Sequence, residues 1–339
     1  MYVGICPVRL SFAGGGTDLP EYYEDFGGNV ISTTIDQFTY SVIQTRKDNS
    51  FQSFSPDFQK HYKPTVFNKI AIEDGTEISS SVIKYLKYKH GLNVILFSDV
   101  PAGSGLGASS SLTVNLVNII NYLKNKKLTK QQTAETAYSI ARKVLHWPVG
   151  KQDEYVASFG GFNFITFKKN KISVKPIKLL KSSNKELQEN LLLFFIGDTR
   201  NSSNILTGQI EKITKKNPLT LSALSDVKNL ANEMHTSLKK SDLSNFGTLL
   251  HKGWMAKKQF APGITNTKID KIYEKSLKFG ALGGKLTGAG GGGHMLFYCE
   301  TKKQKSLINE MTKLGLTHID FSFYDHGPKV INPIDYTKN

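Results

Sequence analysis

Cysteine is almost missing from this chain of 339 residues, which has two, Cys6 and Cys299. Two thiols build no disulfide framework, and neither has partners at zinc-ligand spacing. Long apolar runs are missing as well. The longest, LLLFFI (191–196) and NVILF (93–97), read as buried strands and are far too short for a membrane span. The N-terminal MYVGICPVRLSF has no basic stretch ahead of its apolar residues, so no secretory signal is expected, and a reduced, cytoplasmic setting is the expectation. Acidic residues are scarce: 28 against 44 Lys plus Arg, a net charge of +16. The excess lies in scattered short runs (124–127, 168–171, 239–240, 302–303), with no aromatic–basic repeat. That excludes a dedicated nucleic-acid arm and leaves solvated lysines that also attract small polyanions.

The length exceeds what one hydrophobic core usually organises, so two domains are expected. The polar stretch KSSNKELQEN (181–190) is the candidate boundary, giving units 1–185 and 186–339. β-branched and aromatic residues predict strands at the N-terminus and over 29–46, followed by a loop-rich stretch from Lys47 to about Lys69. Periodicity predicts a helix over 80–90, a strand over 92–100 and a helix over 111–125. Thr129 with Gln132 reads as a capping box for a helix running to about His146. A hairpin is expected over 162–169 and 171–180. Beyond it come a strand at LLLFFIGDT, two helices over roughly 202–260, a helix over 266–279, a strand over 294–300, a helix over 302–314 and a strand over 318–325. That alternation suits a ferredoxin-like layer.

The chemistry gathers around glycine. PAGSGLGASSS (101–111) follows a strand directly and opens a helix. Gly103, Gly105 and Gly107 let amides turn toward an anion, and the helix start at Ala108, Ser109 and Ser110 adds unpaired N–H groups and a dipole. Pro101, Ser104 and Leu106 complete this candidate phosphate loop, and a serine hydroxyl at the helix start suits magnesium. A plain strand-to-helix turn needs fewer glycines. The segment 103–108 also fits the looser dinucleotide fingerprint, but no Asp or Glu occurs between Asp99 and Glu135 to hold a ribose. A Walker A loop is excluded because no Lys-Ser or Lys-Thr pair follows the glycines.

Four further segments stand out. In PVRLSFAGGGTDLPEYY (7–23), Gly15, Gly16, Thr17 and Asp18 set a hydroxyl and a carboxylate beside bare backbone, which suits sugar hydroxyls. Asp18 capping a helix at Leu19–Pro20 is the alternative. In PVGKQDEYVASFGG (148–161), Asp153 either caps a helix or takes a proton, and Lys151 either holds a phosphate or is solvated. KLTGAGGGGHMLF (285–297) has five glycines in the six positions 288–293, among them Gly288 and Gly290. In FIGDTRNSSNIL (195–206), Arg200 with Ser202 and Ser203 makes either a second anion site or a capped helix.

PAGSGLGASSS resembles the second motif of the GHMP kinases, the superfamily of galactokinase, homoserine kinase and mevalonate kinase. PVRLSFAGGGTD resembles their first motif and KLTGAGGGGHMLF their third, in order along nearly the whole chain. The resemblance implies an α+β fold of two domains, an N-terminal ribosomal-protein-like α/β domain and a C-terminal ferredoxin-like α/β sandwich. It implies ATP as co-substrate with Mg2+, Asp153 as the base for the acceptor hydroxyl, and Arg9 beside it. It further implies that Thr17 and Asp18 contact the sugar and that the 288–293 loop supports the nucleotide loop. The chain departs from the pattern at Ala108, which replaces the first serine of a pair, and at Ala141, where the family places a magnesium-binding glutamate. Ser109 and Glu135 are then the expected metal ligands.

The wording of AGGGTDLPEYY, VGKQDEYVASFGG and GDTRNSSNIL is most similar to the D-glycero-D-manno-heptose 7-phosphate kinases. Those enzymes phosphorylate the anomeric hydroxyl on the way to nucleotide-activated heptose for surface polysaccharide. Lys151 and Arg200 suit a phosphorylated acceptor. A fucokinase-like enzyme, a non-catalytic sugar or nucleotide sensor, and a nucleic-acid module are the competing readings. No nucleic acid or membrane partner is expected, and a homo-oligomer is left open.

Overall fold

The computed structural model describes residues 1–73, 75–197 and 202–332. Alternating apolar residues rich in β-branched and aromatic types give β1 (Tyr2–Ala13) and β2 (Gly28–Thr45). Between them Pro20, whose φ is already helical, opens α1 (Pro20–Phe26). The stretch expected as loop instead holds a hairpin, β3 (Ser50–Ser55) and β4 (Lys60–Val66). Its inward positions are Phe51, Ser53 and Ser55, so the period-2 pattern carries little hydrophobicity and reads as loop. Next come α2 (Glu77–Tyr85), β5 (Leu92–Ser98), α3 (Ala108–Leu123) and α4 (Lys130–Ser139). The capping box forms: Gln132 N donates to Thr129 Oγ1 at 3.1 Å, and Thr129 N to Gln132 Oε1 at 2.9 Å. That helix runs on as a π turn over Ile140–Val144. Then follow α5 (Gln152–Phe159) and the expected hairpin, β6 (Asn163–Lys168) with β7 (Lys171–Pro176).

The polar segment 181–190 is mostly helix, α6 (Lys181–Glu189), with Ser183 and Leu187 turned inward. After β8 (Leu191–Phe195) there are three helices where two were expected: α7 (Ser202–Thr214), α8 (Pro218–Lys239) and α9 (Leu243–Lys257). The breaks are set by caps, since Asn217 accepts from Thr220 N and Asp242 from Asn245 N. The chain continues through α10 (Thr267–Lys278), β9 (Ala281–Leu286), β10 (His294–Cys299) and α11 (Thr301–Lys313). It ends in the short strands β11 (Thr317–Ile319) and β12 (Lys329–Ile331). Strand β9 was not foreseen because its sequence, ALGGKL, has two glycines. The strand expected over 318–325 shrinks to β11 and one bridge, Phe323 to Ile35.

The first sheet runs β12-β1-β2-β5-β3-β4, with β6 on β2 and β7 on β6. The second runs β11-β8-β10-β9, all antiparallel, which is the fourth, first, third and second strand of a ferredoxin-like unit. A single hydrophobic cluster joins the sheets: Leu10 and Phe12 of β1 pack with Leu193 of β8, Phe246 of α9 and Tyr298 of β10. Phe246 touches both sides, its ring 5.3 Å from Phe12 and 6.0 Å from Tyr298. Among the described residues no helix is long and apolar enough to cross a membrane. Phe246→Ala opens a cavity where the two sheets meet and is expected to lower unfolding free energy by about 3–5 kcal/mol in urea titrations. A loss under about 1 kcal/mol would mean the sheets do not share their core there.

Candidate active site

Arg9 and Asp153 are 144 residues apart in sequence and meet in a bidentate pair. Arg9 Nε donates to Asp153 Oδ1 at 2.7 Å and Nη2 to Oδ2 at 2.6 Å, a fork geometry that fixes both planes. The remaining guanidinium nitrogen, Nη1, donates to the Gly105 carbonyl at 2.6 Å, and Arg9 N to the Leu106 carbonyl at 3.0 Å. One buried side chain on β1 therefore holds the carboxylate at the start of α5 and the glycine loop before α3. Gln152 Nε2 adds a bond of 3.0 Å to Asp153 Oδ1, and Ser11 Oγ holds Gln152 Oε1 at 2.8 Å.

The glycine loop ends at Gly107, the N-cap of α3, in a left-handed conformation (φ 75°). A Cβ there would lie 3.2 Å from Asp153 Oδ2, so glycine lets loop and carboxylate approach. No side chain caps α3, which leaves its first amides facing the cleft. The loop over 287–293 packs against this loop from the other half. His294 Nδ1 donates to the Ser104 carbonyl at 2.8 Å, and a Cβ on Gly293 would sit 2.3 Å from that same oxygen. Gly103, Ser104, Gly105, Gly107, Ala108, Ser109 and Ser110 line an outer cleft with Gly288 and Gly290, about 1560 Å3 of open space. Pro101 and Leu106 do not line it; Leu106 is fully buried and offers only its carbonyl, to Arg9.

An inner cavity adjoins the cleft and shares Arg9, Asp153, Ser110 and Gly288 with it. Gly15, Gly16 and Asp18 line its far side. Asp18 caps a helix, but not the one that follows it. Its Oδ2 accepts from Gln152 N at 2.9 Å, at the start of α5, and its Oδ1 from Gly16 N at 2.9 Å. Burial pushes the Asp18 carboxyl up and the neighbouring Asp153 adds to this, while the two amides pull it down.

Several expected contacts go elsewhere. Thr17 is fully buried and its hydroxyl closes the turn onto the Gly14 carbonyl at 2.8 Å, so it does not face the cavity. Lys151 turns away from both spaces: its Nζ donates to the two Glu135 oxygens at 2.7 and 2.9 Å and lies 4.8 Å over the Tyr138 ring. Glu135 is thus engaged outside the cleft, bonded also by Tyr155 Oη, and is not placed to hold a metal between the loops. A separation of 16 residues, across the end of α4 and the π turn, gave no sign of this pairing. Arg200 lies outside the described residues.

The structure adds groups that the motifs did not announce. Glu154, next to Asp153, is fully buried; Ser110 Oγ donates to its Oε1 at 2.9 Å, and its Oε2 has no partner. Burial raises its carboxyl to about 8, and the adjacent Asp153 adds to the shift. Lys257, Lys285 and Gln209 reach the inner cavity from α9, β9 and α7. Lys257 and Gln209 lie outside every segment singled out above, and Lys285, although it opens the third glycine motif, reads as a solvated strand lysine.

Comparison with known proteins gives concordant matches. Residues 77–161 match the model of the GHMP kinases N terminal domain, and residues 234–315 that of the GHMP kinases C terminal domain. The chain is 32% identical over 329 residues to the D-glycero-alpha-D-manno-heptose 7-phosphate kinase of Campylobacter jejuni subsp. jejuni, covering 95% of this chain and 96% of the relative. It is 26% identical to the L-fucokinase/L-fucose-1-P guanylyltransferase of Bacteroides fragilis, over 86% of this chain and 34% of that longer protein. A solved D-glycero-D-manno-heptose 1-phosphate kinase from Bacteroides thetaiotaomicron superposes with a TM-score of 0.81 at 25% identity, covering 98% of this chain and 99% of the other.

Glu154 makes a measurable contribution to stability. Its raised folded-state affinity means that the folded protein keeps a proton the unfolded chain gives up, so stability declines as pH rises from the ordinary 4.5 toward about 8. Glu154→Gln keeps the acceptor for Ser110 and removes that decline. The variant's melting temperature, relative to wild type, should increase between pH 5 and pH 8 in calorimetry; parallel curves would show that Glu154 is not buried as described.

Proposed function

The chain belongs to the GHMP kinases and is a sugar kinase, and from that premise we propose that it transfers the γ-phosphoryl group of ATP to the anomeric hydroxyl of D-glycero-D-manno-heptose 7-phosphate. The observation that carries this reading is the position of Asp153, which borders both the outer cleft and the inner cavity. ATP takes the outer cleft, its phosphates against the amides of Gly105 to Ser110 at the open end of α3. The sugar takes the inner cavity, with ring hydroxyls toward Asp18 and the backbone of Gly15 and Gly16. The names of the relatives support a heptose phosphate as acceptor but differ over which position is phosphorylated. The division into units 1–185 and 186–339 belongs to the same proposal, with β12 returning to the first sheet.

In the reaction Asp153 accepts the proton of the anomeric hydroxyl as its oxygen bonds to the γ-phosphorus and the bond to the β-phosphate oxygen breaks. Arg9 holds the Asp153 carboxylate in place through two bonds, and its charge stabilises the equatorial phosphoryl oxygens. Little covalent work is asked of the protein, so rigid placement supplies most of the acceleration. The oxygen donors at the start of α3 fit magnesium, which takes one or two protein oxygens with phosphates and keeps several waters. The hydroxyl of Ser109, exposed in the cleft, would hold it, with phosphate oxygens and water completing its shell. Its chemistry there would be to neutralise charge on the phosphate oxygens.

A fucokinase-like activity is the second reading, favoured by the Bacteroides fragilis relative. Coupled ADP release with heptose 7-phosphate, fucose, galactose and mevalonate separates the readings. Highest kcat/KM is expected on heptose 7-phosphate, and turnover on mevalonate alone would overturn the proposal. Asp153→Asn should keep ADP affinity within a few-fold while turnover falls by roughly 10^2- to 10^4-fold; retained turnover would remove Asp153 as the base.

A further inference from the structure

Two lysine side chains in the inner cavity have no anion. Lys257, at the end of α9, is 8% exposed, and its Nζ donates only to backbone carbonyls, Gly288 and Leu286 (3.3 Å). Lys285, on β9, is 6% exposed, and its Nζ reaches only the Phe12 carbonyl at 3.5 Å. Among the described residues neither lies within ion-pair distance of a carboxylate. The nearby acids are committed, Asp153 to Arg9 and Asp18 to two backbone amides. Gln209 of α7 is 3% exposed, lines the same cavity, and its Nε2 has no partner.

A buried ammonium has three donors to satisfy and a large desolvation cost unless an anion meets it. Burial has the expected effect on both lysines: Lys257 falls to about 7 and Lys285 well below its ordinary value, each lowered further by neighbouring cations. The location says which substrate brings the missing anion. Lys257, Lys285 and Gln209 all line the inner cavity, and none lines the outer cleft where the glycine loop and the open end of α3 already provide for the nucleotide. The cavity wall beside them is bare at Gly15 and Gly16, and a Cβ on Gly16 would lie 2.7 Å from Gln209 Nε2, so glycine leaves that donor open to the cavity. The partner is therefore a group on the acceptor, with enough oxygens for three donors on three different elements.

We propose that Lys257, Lys285 and Gln209 form the binding site for the phosphate monoester that the acceptor already carries. This makes them specificity-determining residues that distinguish a sugar phosphate from the free sugar, and it rests on the reading of the inner cavity as the acceptor site. α9, β9 and α7 all belong to the second half of the chain, whereas Asp153 and Arg9 belong to the first. A sugar phosphate then bridges the halves, its reacting end on one and its phosphate on the other.

The test uses the full-length enzyme and the variants Lys285→Met, Lys257→Met and Gln209→Leu, which keep side-chain volume. Lys285→Met is expected to raise KM for heptose 7-phosphate by roughly 10- to 100-fold, the worth of a charged hydrogen bond, with kcat and ADP affinity little changed. KM for the unphosphorylated heptose should not move. Gln209→Leu should show the same selectivity with a smaller shift, and it guards against a lysine variant that fails to fold. Inorganic phosphate, added without nucleotide, should bind wild type in titration calorimetry, compete with the acceptor and not with ATP, and lose affinity in each lysine variant. Equal losses on phosphorylated and free sugars, or competition of phosphate with ATP, would overturn the proposal and place the lysines on the transferred group. If wild type ignores heptose 7-phosphate but inorganic phosphate still binds through Lys257 and Lys285, the heptose reading fails and the phosphate site stands.

Discussion

The arrangement depends on the guanidinium of Arg9. Its five donors are divided among a carboxylate, a loop carbonyl and little else, and the side chain itself is buried. A lysine could not hold Asp153 through two parallel bonds and the Gly105 carbonyl at once. Each of the other features presupposes that junction. The glycine loop can lean on Asp153 because Gly107 has no side chain, α5 can present Asp153 because Asp18 satisfies its first amide, and Asp18 can do so because the turn behind it is closed by Thr17.

Around this junction the charges are arranged with little slack. Asp153 and Glu154 are adjacent, one paired with Arg9 and facing the cleft, the other buried and bonded to Ser110. Two like charges so close are costly in a dry site, and keeping Glu154 protonated near neutrality relieves the repulsion. On the opposite side the cavity collects Lys257 and Lys285 with no fixed counter-charge. A site built in this way favours an anionic occupant, which is consistent with the overall basic charge of the chain.

The glycine motifs, the capping box at Thr129 and most elements were legible in the sequence because they are local. A phosphate loop needs glycines at set positions, a capping box needs two residues three apart, and an amphipathic helix repeats every turn. The hairpin at 50–66 was missed because serine takes two of the three inward positions of β3, and β9 because glycines occupy a strand packed tightly under α9. Lys151 and Glu135 were expected to serve ligands, yet they satisfy each other, since a pair 16 residues apart leaves no periodic trace.

The sequence by itself marked the glycine-rich loop at 101–111 and most helices and strands, because turn chemistry and periodicity are properties of short segments, whereas Asp153, Arg9 and the two-domain α+β fold were expected through the resemblance to the GHMP kinases. Only the tertiary structure decided which charges meet. Lys151 paired with Glu135, Asp18 capped a distant helix instead of its own, and two lysines that read as solvated were carried into the cavity wall; the Arg9–Asp153 neighbourhood that the resemblance implied took the form of a two-bond fork. Burial and electrostatic pairing depend on distance and on the exclusion of water, and neither is a property of a residue's neighbours along the chain.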